Sequence, residues 1–206
     1  MEHALRMEAT NAETLLEVAR TRGLIRTRDL EPLNIPRVVL TRLVREGRLE
    51  RIARGLYALP QKSASEHQAL LEVAVRVPRG VFCLLTALNF HELTTQSPFE
   101  VWLAIPNNAV RPRLDYPPLH IVHFSGLALT DGVEQHVFSG TPIRVYGIAK
   151  TVADCFKFRN RIGLDVALEA LKEAWQDKRV SMDELWRYAR VCRVANVMRP
   201  YLESLP

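Results

Sequence analysis

The sequence predicts an α/β protein of the α+β kind, built as two domains over residues 10–60 and 65–206. Three observations predict it. A helix, a short helix, a turn, a third helix and a basic hairpin follow one another within residues 10–60. Four β-type stretches then fall between residues 100 and 146, and helical periodicity fills the chain from there to its end as a helical bundle. The length of 206 residues allows one or two domains at about 150 residues each.

Composition fits a packed protein. Hydrophobic residues make up 48% and charged residues 25%, outside the apolar-poor range of disordered chains. The longest apolar runs, such as Val81–Leu85, fall far short of the roughly 18 to 20 residues of a membrane span, and the N-terminus is polar. Cys83, Cys155 and Cys192 are odd in number and form no CxxC, which argues against a disulfide framework or a zinc knot; a reducing cytoplasm is the expected location. The net charge of +5 is uneven, because residues 20–54 hold ten Arg, no Lys and four acids. That local excess of six positive charges is where a polyanion would bind.

Each N-terminal element has a local cause. Thr10-Asn11-Ala12-Glu13 has the form of a capping box, so a helix is expected to open there and run to about Thr21, with Leu15, Leu16, Val18 and Ala19 as its apolar face. Gly23 stops it. Thr27 is the expected cap of a short helix whose early acid, Asp29, suits the helix dipole. Asn34 and Pro36 mark a tight turn and a second restart, since proline tolerates only the first helical turn, and this third helix ends at Gly47. Leu49, Ile52, Leu56 and Tyr57 then follow a strand pattern broken at Ala53-Arg54-Gly55, a hairpin closed by Pro60. This is the element order of a winged helix-turn-helix, and Gln61–Ala64 reads as a short linker.

The second domain opens on the capping pattern Ser65-Glu66-His67-Gln68, with a helix to Pro78-Arg79-Gly80 and a more apolar helix over Phe82–His91. Strands are expected at Glu100–Ile105, Leu119–Phe124, Val133–Phe138 and Ile143–Tyr146, the last two joined through Ser139–Pro142. Leu164, Ala167, Leu168, Leu171, Ala174 and Trp175 keep helical spacing, and Ser181–Glu184 caps the next helix.

The third helix is the most informative element. At about 100° per residue, Leu40, Leu43 and Val44 gather on one side. Arg37, Thr41, Arg45 and Arg48 gather on the other, flanked by Val38 and Arg42. A recognition helix needs this division: arginines for guanine edges and an apolar methyl for thymine, on a helix held from behind. Arg51 and Arg54 on the hairpin would meet phosphates or the minor groove, and Arg26 and Arg28 add to the basic stretch as DNA-binding candidates. The bland alternative is an arginine-rich helix face that is merely solvated. The absence of Lys, the arginines on the hairpin and the helix order weigh against it.

Other motifs are weaker. His120 and His123 stand at odd spacing, on opposite faces of a strand, with no carboxylate or thiolate to complete a ligand set. No Walker loop, GxGxxG, GxSxG or HExxH is present. Glu100-Val101-Trp102 has no Lys two residues on, and Asp115, Asp131 and Glu134 are not spaced as a metal set, so no metal, cofactor or catalytic residue is expected. A metal-dependent nuclease with a winged-helix domain and a winged-helix protein-interaction module are the alternatives. Lys150, Asp154 and Lys157 share one helix face, which reads either as a solvated i, i+4 ion pair or as a docking surface for the antitoxin activity considered next.

Gly23–Leu30, Ile35-Pro36 with Leu43–Leu49, and Arg54–Leu59 resemble the N-terminal winged-helix domain of AbiEi-type antitoxins from abortive-infection (type IV) toxin–antitoxin systems. Cys83–Gln96 and Tyr146–Lys157 resemble the C-terminal segment of that family. The resemblance implies a non-catalytic transcriptional repressor of its own operon, with double-stranded operator repeats as its DNA. It also implies a nucleotidyltransferase-like toxin as functional partner, opposed by the C-terminal domain, typically without a stable complex. By position, Arg37, Thr41, Arg42, Arg45, Arg51 and Arg54 inherit DNA contact.

Overall fold

The computed structural model describes residues 2–22, 25–53, 55–60, 68–96, 98–138 and 141–205. Gly23, Arg54, the expected linker 61–64, the cap at 65–67 and the turn at 139–140 lie outside them. The chain forms two compact units: residues 1–76 with 137–142, and residues 77–136 with 143–206.

In the first unit, helix α1 spans Glu2–Arg22. It starts well ahead of the expected Thr10, because Glu2–Ala9 are mostly strong helix formers with no breaker among them, so the Thr10 cap is bypassed. Strand β1 (Ile25–Arg26) leads into a 3-10 turn at Thr27–Leu30, and then comes helix α2 (Arg37–Arg45). Strands β2 (Glu50–Ala53) and β3 (Leu56–Ala58) complete an antiparallel sheet in the order β1-β3-β2. Ala12, Leu15, Leu16 and Ala19 of α1 close over Ile25, Leu30, Ile35, Val39, Leu40, Leu43 and Leu49, all buried. Helix α3 (Gln68–Arg76) groups with this unit, on the near side of the boundary expected at 60–65.

A five-stranded mixed sheet belongs to the second unit except for residues 137–138 and 141–142 at the ends of its last two strands in sequence, which group with the first. Strands β4 (Val81–Phe82), β5 (Val101–Pro106), β6 (Leu119–Phe124), β7 (Val133–Phe138) and β8 (Thr141–Tyr146) run in the order β6-β5-β4-β8-β7. β5 is parallel to β6 and antiparallel to β4, which is parallel to β8. The central strand β4 has only two residues and takes Phe82 from the expected helix; helix α4 (Leu84–Phe90) begins after it. A short helix α5 (Leu127–Thr130) precedes β7. Helices α6 (Ile148–Lys157), α7 (Arg159–Ile162), α8 (Leu164–Gln176), α9 (Met182–Val191) and α10 (Ala195–Leu202) follow. Every residue of α6 from Ala149 to Phe156 is buried, so this helix runs through the core rather than along its surface.

Candidate nucleic-acid interface

The geometry of α2 follows from its two ends. Asn34 takes a left-handed φ of 53°, and Pro36 sits at the N-cap with φ −65° and ψ 141°. Proline's fixed φ suits that position, and its missing N–H leaves no donor unsatisfied there. At the other end Gly47 adopts φ 67°; its N–H reaches Val44 O at 3.1 Å, and Arg48 N–H reaches Leu43 O at 2.9 Å. These two bonds form a Schellman cap, which a glycine in the left-handed region permits. The register of α2 is thereby fixed at both ends.

That register divides the helix. Val39, Leu40 and Leu43 are buried, while Arg37, Val38, Thr41 and Arg45 are exposed, Val38 by 64%. The structure thus brings together four of the expected DNA-contacting residues on one open face. Among the described residues Arg37 and Arg45 have no acidic partner. Arg42 is half-buried on the flank, its Nε 3.7 Å from Glu46 Oε1. Arg48 lies 4.0 Å from Glu46 Oε2 and lines a hollow of about 690 Å³ along α1 with Glu13 and Glu17. Glu46, which sequence reasoning passed over, therefore tempers two of the arginines; its i, i+4 spacing from Arg42 is the signal that could have found it.

The wing is tied to the rest by a few specific bonds. Thr27 N–H and Thr27 Oγ1 both donate to Gly55 O, at 3.0 and 3.3 Å. The expected cap Thr27 is thus used on the wing; Asp29 does the local capping by accepting from Arg26 N–H at 2.9 Å. Arg51 is exposed opposite Tyr57, beside a bulge in the β2–β3 ladder that increases the local twist. Arg54 lies outside the described residues. Arg26 and Arg28, with Arg76 of α3, a cation the sequence did not single out, line a hollow of about 330 Å³ against Gly55 and Leu56.

Lys150, Asp154 and Lys157 are placed otherwise than expected. Lys150 and Asp154 have no solvent exposure, so they cannot form a docking surface; only Lys157 reaches solvent. The i, i+4 pair does form, but inside the core of the second unit. His120 stacks on Trp102 with ring centroids 3.7 Å apart and bonds Glu100 at 3.2 Å, as a packed histidine does. Among the described residues no three His, Cys, Asp or Glu side chains converge as a metal site, and no helix is long and apolar enough to cross a membrane.

No curated protein matches the chain. A crystal structure of the RV2827C protein from Mycobacterium tuberculosis shares its fold, with a TM-score of 0.61 at 16% identity over 88% of this chain and 71% of that one. The family model described as "Transcriptional regulator, AbiEi antitoxin" matches residues 13–60. That span begins in α1 and runs through α2 to the end of the wing. Over residues 13–60 the chain is thus similar to the AbiEi antitoxin family of transcriptional regulators.

Proposed function

We propose that this chain represses its own toxin–antitoxin operon by binding double-stranded operator repeats, without catalysis, and counters a nucleotidyltransferase-like toxin. The observation that carries the proposal is the divided face of α2: Arg37, Val38, Thr41 and Arg45 open to solvent on a helix anchored by Val39, Leu40 and Leu43. Inserted in the major groove, this face offers guanidinium forks for guanine O6 and N7 and a methyl surface for thymine. The wing, with exposed Arg51 and with Arg54, would lie on phosphates. One such unit supplies one half-site, so two copies on a repeated operator are needed for tight binding.

The test is operator affinity as a function of salt. Arg45→Ala is expected to weaken operator binding by about 1–3 kcal/mol and to relax base preference at one position, whereas Arg51→Ala lowers affinity evenly across sequences and reduces the salt slope by about one. Unchanged operator affinity in the Arg45 variant rejects this face. The antitoxin part is tested by co-expression with a nucleotidyltransferase-like toxin encoded beside this chain, where restored growth is the expected result and the lack of any such neighbouring gene counts against it.

A further inference from the structure

The second unit contains a basic hollow that the regulator reading does not use. It measures about 410 Å³ and lies between the Ser125–Gly126 loop and the ends of α6 and α9; Lys157, Arg190 and Arg193 line it, with no carboxylate in its wall. Lys157 is the last residue of α6, Arg190 stands in the last turn of α9, and Arg193 follows just beyond. Cations at helix C-termini are ordinarily explained by the negative end of the dipole. Here that explanation falls short, since two such ends amount to about one negative charge against three cations.

Neighbouring acids do not remove the surplus. Asp154 is matched by Lys150, and Asp131 by Arg187. Among the described residues Lys157, Arg190 and Arg193 enter no ion pair. Lys157 is also positioned in advance, its Nζ 5.6 Å from the centroid of the buried Phe124 ring.

We infer that this hollow binds an oxyanion ligand of two or more negative charges, a phosphate or polyphosphate group, held by Lys157, Arg190 and Arg193 with the Ser125 hydroxyl as a further donor. Guanidinium forks match phosphate oxygens bidentately. The volume lies within the range of small-ligand clefts, roughly 300–1,000 Å³. The same group could arrive on a free small molecule or on a nucleic-acid strand, and the experiment separates these sources.

The full chain is titrated by calorimetry at low salt with inorganic pyrophosphate and, separately, with a duplex lacking the operator. Arg190→Ala and Arg193→Ala are compared with Lys172→Ala, which removes an exposed cation on α8. All three altered side chains are exposed, and an unchanged melting temperature verifies folding. The expected result is saturable one-site pyrophosphate binding, weakened about tenfold by either arginine variant and unaffected by Lys172→Ala. Duplex affinity that stays constant in the arginine variants assigns the group to a small molecule; duplex affinity that falls in parallel, with competition by pyrophosphate, assigns it to nucleic acid. No pyrophosphate binding, or equal weakening by Lys172→Ala, overturns the inference.

Discussion

Lys150 Nζ lies 2.5 Å from Asp154 Oδ2 across one turn of α6, and neither side chain is exposed at all. Cys192 Sγ donates to the other carboxylate oxygen at 3.1 Å, and the rings of Tyr146 and Phe124 stand 4.0 and 5.0 Å from the ammonium. Burial lifts the Asp154 carboxyl above the usual carboxylate range despite Lys150 and the Cys192 bond, so the pair contributes less than its short distance suggests. Breaking it is a different matter, because one buried charge is then left uncompensated. Lys150→Met and Asp154→Asn alone are each expected to destabilise by about 3–5 kcal/mol in urea unfolding. The double variant Lys150→Met with Asp154→Leu should recover most of that loss; additive losses would show that packing, not charge, dominates here.

The same pair shows what the sequence could and could not convey. An i, i+4 Lys–Asp spacing looks identical on a solvated helix and on a buried one. Burial is decided by what closes around α6, here α4, α8 and α9 together with the sheet, and that depends on contacts distant in sequence. Strand β4 was hidden for a related reason: Val81–Leu85 is uniformly apolar, yet its first two residues join the sheet, Cys83 is the N-cap of α4, and its last two open that helix. By contrast, the limits of α2 were legible in Pro36 and Gly47, and its buried face in Leu40 and Leu43, because caps and periodicity act locally. The strands β5 to β8 fall within two residues of their expected limits, although β5 is a continuous apolar run buried on both faces rather than an alternating one.

Glu46 reaches both Arg42 and Arg48 at the C-terminal end of α2, beside the exposed face. A carboxylate there reduces the potential that attracts a polyanion. Glu46→Gln is therefore expected to strengthen DNA binding several-fold at low salt and to steepen its salt dependence, with most of the gain shared by operator and unrelated duplex. A gain confined to the operator would mean that Arg42 or Arg48 reads bases once released.

Gly55 has φ 75°, and a Cβ placed there would stand 3.1 Å from Thr27 Oγ1, in the bond that ties the wing to the 3-10 turn. Gly55→Ala is expected to lower stability by about 1–2 kcal/mol, through the left-handed backbone and the crowded hydroxyl together. If the wing supports binding, affinity for duplex should fall as well. Thr27→Ser, which keeps the hydroxyl, should leave both quantities close to those of the parent chain.

Glu72 on α3 is only 5% exposed, and its Oε2 has no hydrogen-bond partner within the described residues. Burial is the largest influence on its carboxyl, which is pushed up to about 7; the charge of Glu50 adds to the rise, while Gln68 and Arg76 oppose it. The folded state therefore holds this proton more tightly than the unfolded chain, whose glutamates titrate at about 4.3. Stability from Glu72 is fully present below that unfolded value and is lost as pH rises through about 7, where the side chain must ionise inside the protein. The loss amounts to about 1–3 kcal/mol between pH 5 and 8. Glu72→Gln, which stays neutral, should flatten this part of the pH–stability profile: thermal unfolding at pH 8 should occur at a higher temperature than in the parent, while the two differ little at pH 5. Equal differences at both pH values would place the effect in packing rather than in ionisation.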